Sequence, residues 1–474
     1  MVTRLVGASR IDFTALRREL ELPTRFPPAA LREAREAAER VRSQPSGADR
    51  TDIPFVTIDP PTSRDLDQAV CLSRRAGGYR VFYAIADVTA FVATGGRLES
   101  EAWRRGQTVY LPDARVPLHP PVISEGAGSL LPGQTRPVAL WTIDLDTDGV
   151  TTSARVERAR VRSRGRFDYV AVQAAAESGR LDDAIALLPE VGRLLVERGL
   201  AHGAIDLPIP EQEVEPDGDG GWRLVLRTAV PAESWNAQIS LLTGTCAAAI
   251  MLEGGLGLLR TMPAPTAAAV ARLRGAAAAL GIAWPRRATP GRVLSTLDPG
   301  RPRHAAFIDH AAELLRGARY VAFDGVRPTD PAHGAVAAPY AHVTAPLRRL
   351  ADRYATEVCL SLTAGRDVPD WVRDALPRLP PVMEASDRRA SRAQRGAVDL
   401  AEAVLLAERV GEEFDAVVVD VDERGGIVVV TEPPVVARCA GRLPRGERIR
   451  VRLAVADPGR RLVSFEALPP AQAR

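Results

Sequence analysis

The stretch FVTIDPPTSRDLDQAV, Phe55 to Val70, decides how this chain reads. Its apolar, β-branched start predicts a strand that ends at Asp59. Pro60 and Pro61 then stop the ladder, because neither carries a backbone N–H. Asp65 and Asp67 follow within eight residues of Asp59. If RDLDQAV is extended, these two share one face and Leu66 points to the other. Three carboxylates in so short a loop repel one another, and nothing in the neighbouring sequence neutralises all three. A divalent cation would. Hard oxygen donors suit Mg²⁺, with Mn²⁺ as the alternative, and such an ion serves phosphodiester hydrolysis. On spacing alone, an ordinary solvated acidic turn with Asp67 capping something local is the competing reading.

Working outward, YRVFYAIADVTAF, VALWTIDLD and WRLVLRT continue the β texture between Pro, Gly and Asp turns, which predicts a mixed sheet. Before it, FPPAALREAREAAERVRS (residues 26–43) has Pro-initiated helical spacing, so residues 1–50 read as a helical lead-in. From about 232 to 365 the apolar spacing is helical, as in AQISLLTGTCAAAIML, PTAAAVARLRGAAAALGI and APLRRLADRYATEVCLSL. These helices should pack on the sheet. A further helical run, MEASDRRASRAQRGAVDLAEAVLLAERV, leads into four or five short strands that suit a small OB-like barrel. The expectation is an α+β chain: lead-in 1–50, a mixed β-sheet core packed with helices over 51–408, and a barrel over 409–474.

The 474 residues are 46% hydrophobic and 26% charged, which is a globular composition rather than a disordered one. All 62 basic residues are Arg, against 59 acids, and coding bias accounts for most of that usage. The net charge of +3 argues for no nucleic-acid partner by itself. Four separated Cys with no zinc or redox spacing predict a reduced, cytoplasmic protein. The start MVTRLVGASRIDF has no apolar core of a signal peptide. The uncharged run from Ser234 to Leu252 carries Asn236, Gln238, Thr243 and Thr245, so it predicts a buried helix and no membrane span.

TIDPPTSRDLDQA resembles the catalytic signature of the ribonuclease II / ribonuclease R (RNB) family. YAIADVTAFV, VYLPDARVPLHPPVISEGAGSLLPGQTRPVALWTIDLDTDG, GAIDLPIPE and YAHVTAPLRRLADRY continue the resemblance in order over roughly residues 50 to 400. It implies an RNB-type catalytic domain and a Mg²⁺-dependent, hydrolytic 3′→5′ exoribonuclease. Such an enzyme threads single-stranded RNA into a channel and releases nucleoside 5′-monophosphates. Asp59, Asp65 and Asp67 match three of the family's four acidic residues, Asp67 being the one most critical for turnover. Arg348, and less directly Arg349, match the family's phosphate-contacting arginines. Tyr110 matches an aromatic at the channel mouth, and Tyr169 one that holds the terminal nucleotide. No obligate protein partner is implied.

The chain also departs from the pattern. Gln68 stands where a fourth Asp is usual; its amide can offer a metal an oxygen but withdraws one charge. Leu207 takes the place of a second stacking aromatic. Gln238 is aligned with a Glu that contacts the terminal nucleotide. The family's larger members have cold-shock domains before the catalytic domain, and their absence here predicts a short form. Gln68 and Leu207 keep open an alternative: a catalytically weakened or inactive RNA-binding relative.

Overall fold

A computed structural model describes residues 11–44, 46–218 and 220–469; the reading of the extreme N-terminus lies outside them. Its centre is a seven-stranded mixed sheet. The spatial order is Ala48–Asp49, Thr151–Arg162, Thr135–Asp146, Gly78–Ala86, Gln68–Arg75, Val56–Ile58 and Gly165–Phe167. The outermost pairings at both ends are parallel and the others antiparallel.

The order has a geometric consequence. Strands Thr151–Arg162 and Gly165–Phe167 are nearly contiguous in the chain, yet four strands separate them in the sheet. A flat sheet would put them about 24 Å apart at ~4.8 Å per spacing, while the short link reaches ~10 Å. The sheet therefore curls until its edges approach. Backbone bonds hold the strand ends on either side of the seam: Arg164 N–H to Phe55 O (2.7 Å) continues the pairing of Val56–Ile58 with Gly165–Phe167, and Arg50 N–H to Arg160 O (2.9 Å) that of Ala48–Asp49 with Thr151–Arg162. The acidic loop sits beside this seam.

Tyr83, Ile85, Trp141 and Ile143 form the sheet's buried interior. The helix Pro231–Gly254 packs there through Ile239, Ala247 and Met251. It is the one described helix long and apolar enough to cross a membrane by length and composition. The lead-in is not a separate unit. Ala30, Ala34 and Ala37 of helix Pro28–Ser43 join the central core, whereas Phe13 and Leu16 join a second core built around the barrel.

Two expectations need correcting. The segment 232–365 is not helical throughout, because Leu256–Thr261 pairs with Arg319–Asp324 as an antiparallel ribbon. WRLVLRT is a strand, but it pairs with Glu211–Pro216 and not with the central sheet. The C-terminal strands close a five-stranded barrel in the order Glu413–Asp422, Gly425–Val430, Val435–Ala440, Leu462–Ala467, Arg448–Asp457, an OB-like topology. All four cysteines are buried and unpaired.

Candidate active site

The acidic loop is fastened at each end and in its middle. Val56–Ile58 is wholly buried, and Asp59 N–H extends its ladder to Phe167 O at 3.0 Å. The two prolines end that ladder, and Ser63 N–H closes a turn on Pro60 O. Leu66, fully buried, anchors the far side. Ser129 hydroxyl donates to Arg64 O (2.7 Å) and accepts from Leu66 N–H (3.0 Å), while Leu130 N–H bonds Leu66 O. The next strand starts only at Gln68, so Asp65 and Asp67 are displayed by an irregular turn held by Ser129.

Asp67 is 2% exposed. Its oxygens accept from Leu347 N–H (2.7 Å) and Arg348 Nε (3.1 Å). Burial nevertheless pushes its carboxyl up to about 7, against the pull of Arg348 and the Leu347 amide. Asp59 is pushed up to about 6, again chiefly by burial, with Arg348 and Arg166 opposing and Asp65 adding repulsion. One Asp59 oxygen, Oδ2, is buried without a hydrogen-bond partner. Asp65 accepts from Tyr110 Oη (2.6 Å) and lies 3.6 Å from Arg115. Arg64 turns outward, 3.9 Å from Glu125, and balances none of the three.

Arg348 does not sit on a helix. The helix begins at Leu350, and the preceding turn is held by Arg349 N–H to Ala345 O and by Thr108 N–H to Arg348 O. The turn aims Arg348 at the acidic loop, 46% of its side chain exposed. Arg349 points elsewhere: both its Nε and Nη2 donate to Asp352, which also accepts from Ala345 N–H. It braces the turn, so the expected phosphate contact for Arg349 is corrected.

Tyr110 presents its ring to solvent, 45% exposed, while its hydroxyl is tied to Asp65. Tyr169 opens helix Tyr169–Glu177 behind the N-cap Asp168, faces Asn236, and lies near Asp59. Gln238 does not join them. On a helix, positions 233, 236 and 240 share a face and 238 points nearly opposite. Accordingly Asn236 meets Tyr169 and Ser240 meets Tyr83 Oη (2.8 Å), whereas Gln238 lines a separate cavity with His202, His333 and Tyr340. Leu207 packs against the satellite cluster of Leu273, Leu280 and Phe307. Asn236, Ser240 and Ser129 are site residues that motif matching missed; the helical phase of NAQISLLTG carried the signal for the first two.

Gln68 is bonded at both ends. Its oxygen accepts from Tyr83 Oη (2.7 Å) and its amide donates to Thr344 O (2.6 Å). As a metal ligand it would have to share that oxygen with Tyr83.

The donor chemistry of Asp59, Asp65 and Asp67 fits a hard divalent cation, and the unpartnered Asp59 oxygen and the raised carboxyls are what such a charge would relieve. The close convergence expected of the three is corrected: among the described residues no group of three or more His, Cys, Asp or Glu side chains is gathered as a metal-holding set. Arg348 and Arg115 supply the local positive charge instead.

The RNB domain model matches residues 48–361, and the RNase II-type exonuclease C-terminal S1 domain model matches 412–468. Exosome complex exonuclease RRP44 homolog A of Arabidopsis thaliana is 26% identical over 405 residues, covering 82% of this chain and 43% of its own. Ribonuclease R 1 of Lactococcus lactis is 26% identical over 451 residues, covering 90% and 54%. The chain spans about half the length of these curated relatives. Among solved structures, apo Mycoplasma genitalium RNase R superposes with a TM-score of 0.83 at 19% identity, over 96% of this chain and 77% of that one. Yeast Ssd1, described as a pseudonuclease, gives 0.65 at 18% identity, over 87% and 51%. These structural likenesses show a shared fold.

Proposed function

The chain belongs to the RNB family, and on that premise we propose that it is a metal-dependent, hydrolytic 3′→5′ exoribonuclease that degrades or trims single-stranded RNA to nucleoside 5′-monophosphates in the cytoplasm. The observation that carries this is the tie between Asp67 and Arg348, which brings the carboxylate loop and the HVTAPLRR turn to one point. Asp59, Asp65 and Asp67, which are not gathered as a set without the ion, would close on Mg²⁺, or Mn²⁺, which when bound supplies Lewis-acid activation for phosphodiester hydrolysis.

The rest of the work falls to this chain's own groups. Arg348, released from Asp67 once that carboxylate has another partner, would turn its planar guanidinium to the scissile phosphate and hold two of its oxygens. Tyr110 offers an exposed ring on which any base stacks, for about 1–3 kcal/mol per base. Tyr169 hydroxyl and the Asn236 amide lie together beside Asp59 and would orient the terminal ribose, whose 2′-OH distinguishes RNA from DNA.

A 3′-tailed RNA hairpin with Mg²⁺ tests this reading: the expected result is a ladder of monophosphates from the 3′ end. Asp67→Asn should lower turnover by about 10²–10³-fold, the scale of a lost transition-state contact, with RNA affinity in EDTA retained. Undegraded RNA in both Mg²⁺ and Mn²⁺ would favour the binding-only alternative that Gln68 and the Arg348-occupied Asp67 motivate.

A further inference from the structure

Away from the carboxylate loop, a groove of about 830 Å³ lies between the end of helix Pro28–Ser43 and the ends of strands Thr135–Asp146 and Thr151–Arg162. Arg42, Arg136, Arg160 and Arg162 line it, with Asp49 the one acidic side chain in the lining. Ala38, Val41, Val122 and Ala127 supply apolar wall.

Arg42 pairs with Glu39 on its own exposed helix turn (2.8 Å), but the other cations are poorly neutralised. Arg136 donates to the carbonyls of Ser129 and Gly126, not to a carboxylate. Arg162 finds only the Thr135 hydroxyl, at 3.2–3.3 Å. Arg160 reaches Asp49 at 3.4 Å and leaves its Nε buried without a partner. The run then continues out of the groove. Arg164 donates to Asp52 O, and Arg166 to Pro60 O and Pro61 O, next to Asp59. Among the described residues Arg136, Arg162, Arg164 and Arg166 make no ion pair. Like charges gathered in a concavity raise the local potential, and a polyanion relieves it.

We propose that this groove, continued by Arg162, Arg164 and Arg166 across the sheet seam, is a second binding site for the phosphate backbone of single-stranded RNA, upstream of the carboxylate loop. The inference rests on RNA being the ligand of that loop. The lining has no aromatic side chain, so it would hold backbone and not bases, and would be indifferent to sequence. Because Arg136 grips the carbonyl of Ser129, whose hydroxyl fastens the acidic loop, the groove floor and the site are one construction.

The test uses the full chain in EDTA, so that RNA is bound and not cut. Fluorescence anisotropy would compare an RNA of about 20 nucleotides with one of about 3, shorter than the ~4–16 that a single-strand site usually covers. For Arg42→Gln/Arg162→Gln/Arg164→Gln, affinity for the long RNA should fall at least about tenfold at low salt. The slope of log K on log[salt] should lessen by about 2, at ~0.7 per lost phosphate contact. Affinity for the short RNA, and its turnover with Mg²⁺, should not change. Arg42→Gln alone, at an exposed helix end, should lessen the slope by about 0.7 and guards against misfolding of the triple variant. An unchanged slope, or equal losses on both RNAs, overturns the groove. If wild type hydrolyses neither RNA but shows the groove-dependent slope, the proposed activity fails and the groove stands.

Discussion

At the scale of the single residue, Gln68 shows how an apparent defect can be a fitted part. The strand Gln68–Arg75 begins at this side chain, which spans from Tyr83 Oη to the carbonyl of Thr344 in the turn that delivers Leu347 and Arg348 to Asp67. Tyr83 in turn meets Ser240 on the long helix, so three elements are tied through one phenol. An Asp here is one methylene shorter and, once ionised, has no proton for Thr344. Gln68→Asp should therefore cost about 1–3 kcal/mol through the unsatisfied carbonyl and lower turnover. Urea melts and a Mg²⁺ titration of activity check this, and higher activity at limiting Mg²⁺ would show instead that a ligand had been restored. The sequence disclosed the acidic loop and Arg348 because their spacing is local and their motifs are long. It did not disclose that Arg349 would be taken by Asp352 or Gln68 by Thr344, since those partners depend on how a turn is wound.

At the scale of the element, the helices and barrel strands were legible because their apolar periods are long. Phase within a helix was legible in principle: residues 236 and 240 had to share a face that 238 lacks. The ribbon formed by Leu256–Thr261 and Arg319–Asp324 was not, because its two short strands are separated by nearly sixty residues of helical pattern. The helix Leu379–Leu406 was read as a helix, but its role as a joint was hidden. Its buried Glu402 accepts from Gln212 Nε2 (2.6 Å) on the hairpin and from Val436 N–H (3.0 Å) on the barrel. Burial pushes this carboxyl up from its ordinary 4.5 to about 7. Between those values the unfolded chain gives up the proton and the folded one keeps it, so this group's contribution to stability falls as pH rises from about 4.5 to 7 and is flat above. Glu402→Gln keeps an oxygen for both donors and carries no charge. It should match wild type near pH 4 and exceed it near pH 8 by up to about 3 kcal/mol. Urea midpoints at the two pH values measure this; a gap that does not widen with pH would show Glu402 to be ionised in the fold throughout.

At the scale of the whole molecule, the two cores do not follow the order of the chain. Phe13 and Leu16 near the start, Ala393 and Leu406 of the joint helix, and Phe414 and Phe465 of the barrel pack in one cluster. Val109, Leu111 and Val116 belong to it too, and they are the roots of the short ribbon that carries Tyr110. The barrel core thus continues into the ribbon whose tyrosine bonds Asp65, and this is why the sequence, read as lead-in, catalytic domain and barrel, gave three blocks where the fold interlocks them. A barrel that merely hung from a linker would open by itself. One that shares its core with the segment 11–22 and with the Tyr110 ribbon must open with them, because burial removed on one side exposes apolar surface on the other. Hydrogen exchange followed by mass spectrometry through graded urea should therefore find the barrel strands, the segment 11–22 and the Tyr110 ribbon losing protection at one common urea concentration. A barrel that loses protection at a lower concentration than the Tyr110 ribbon would show the cluster to be divisible and the barrel an independent unit.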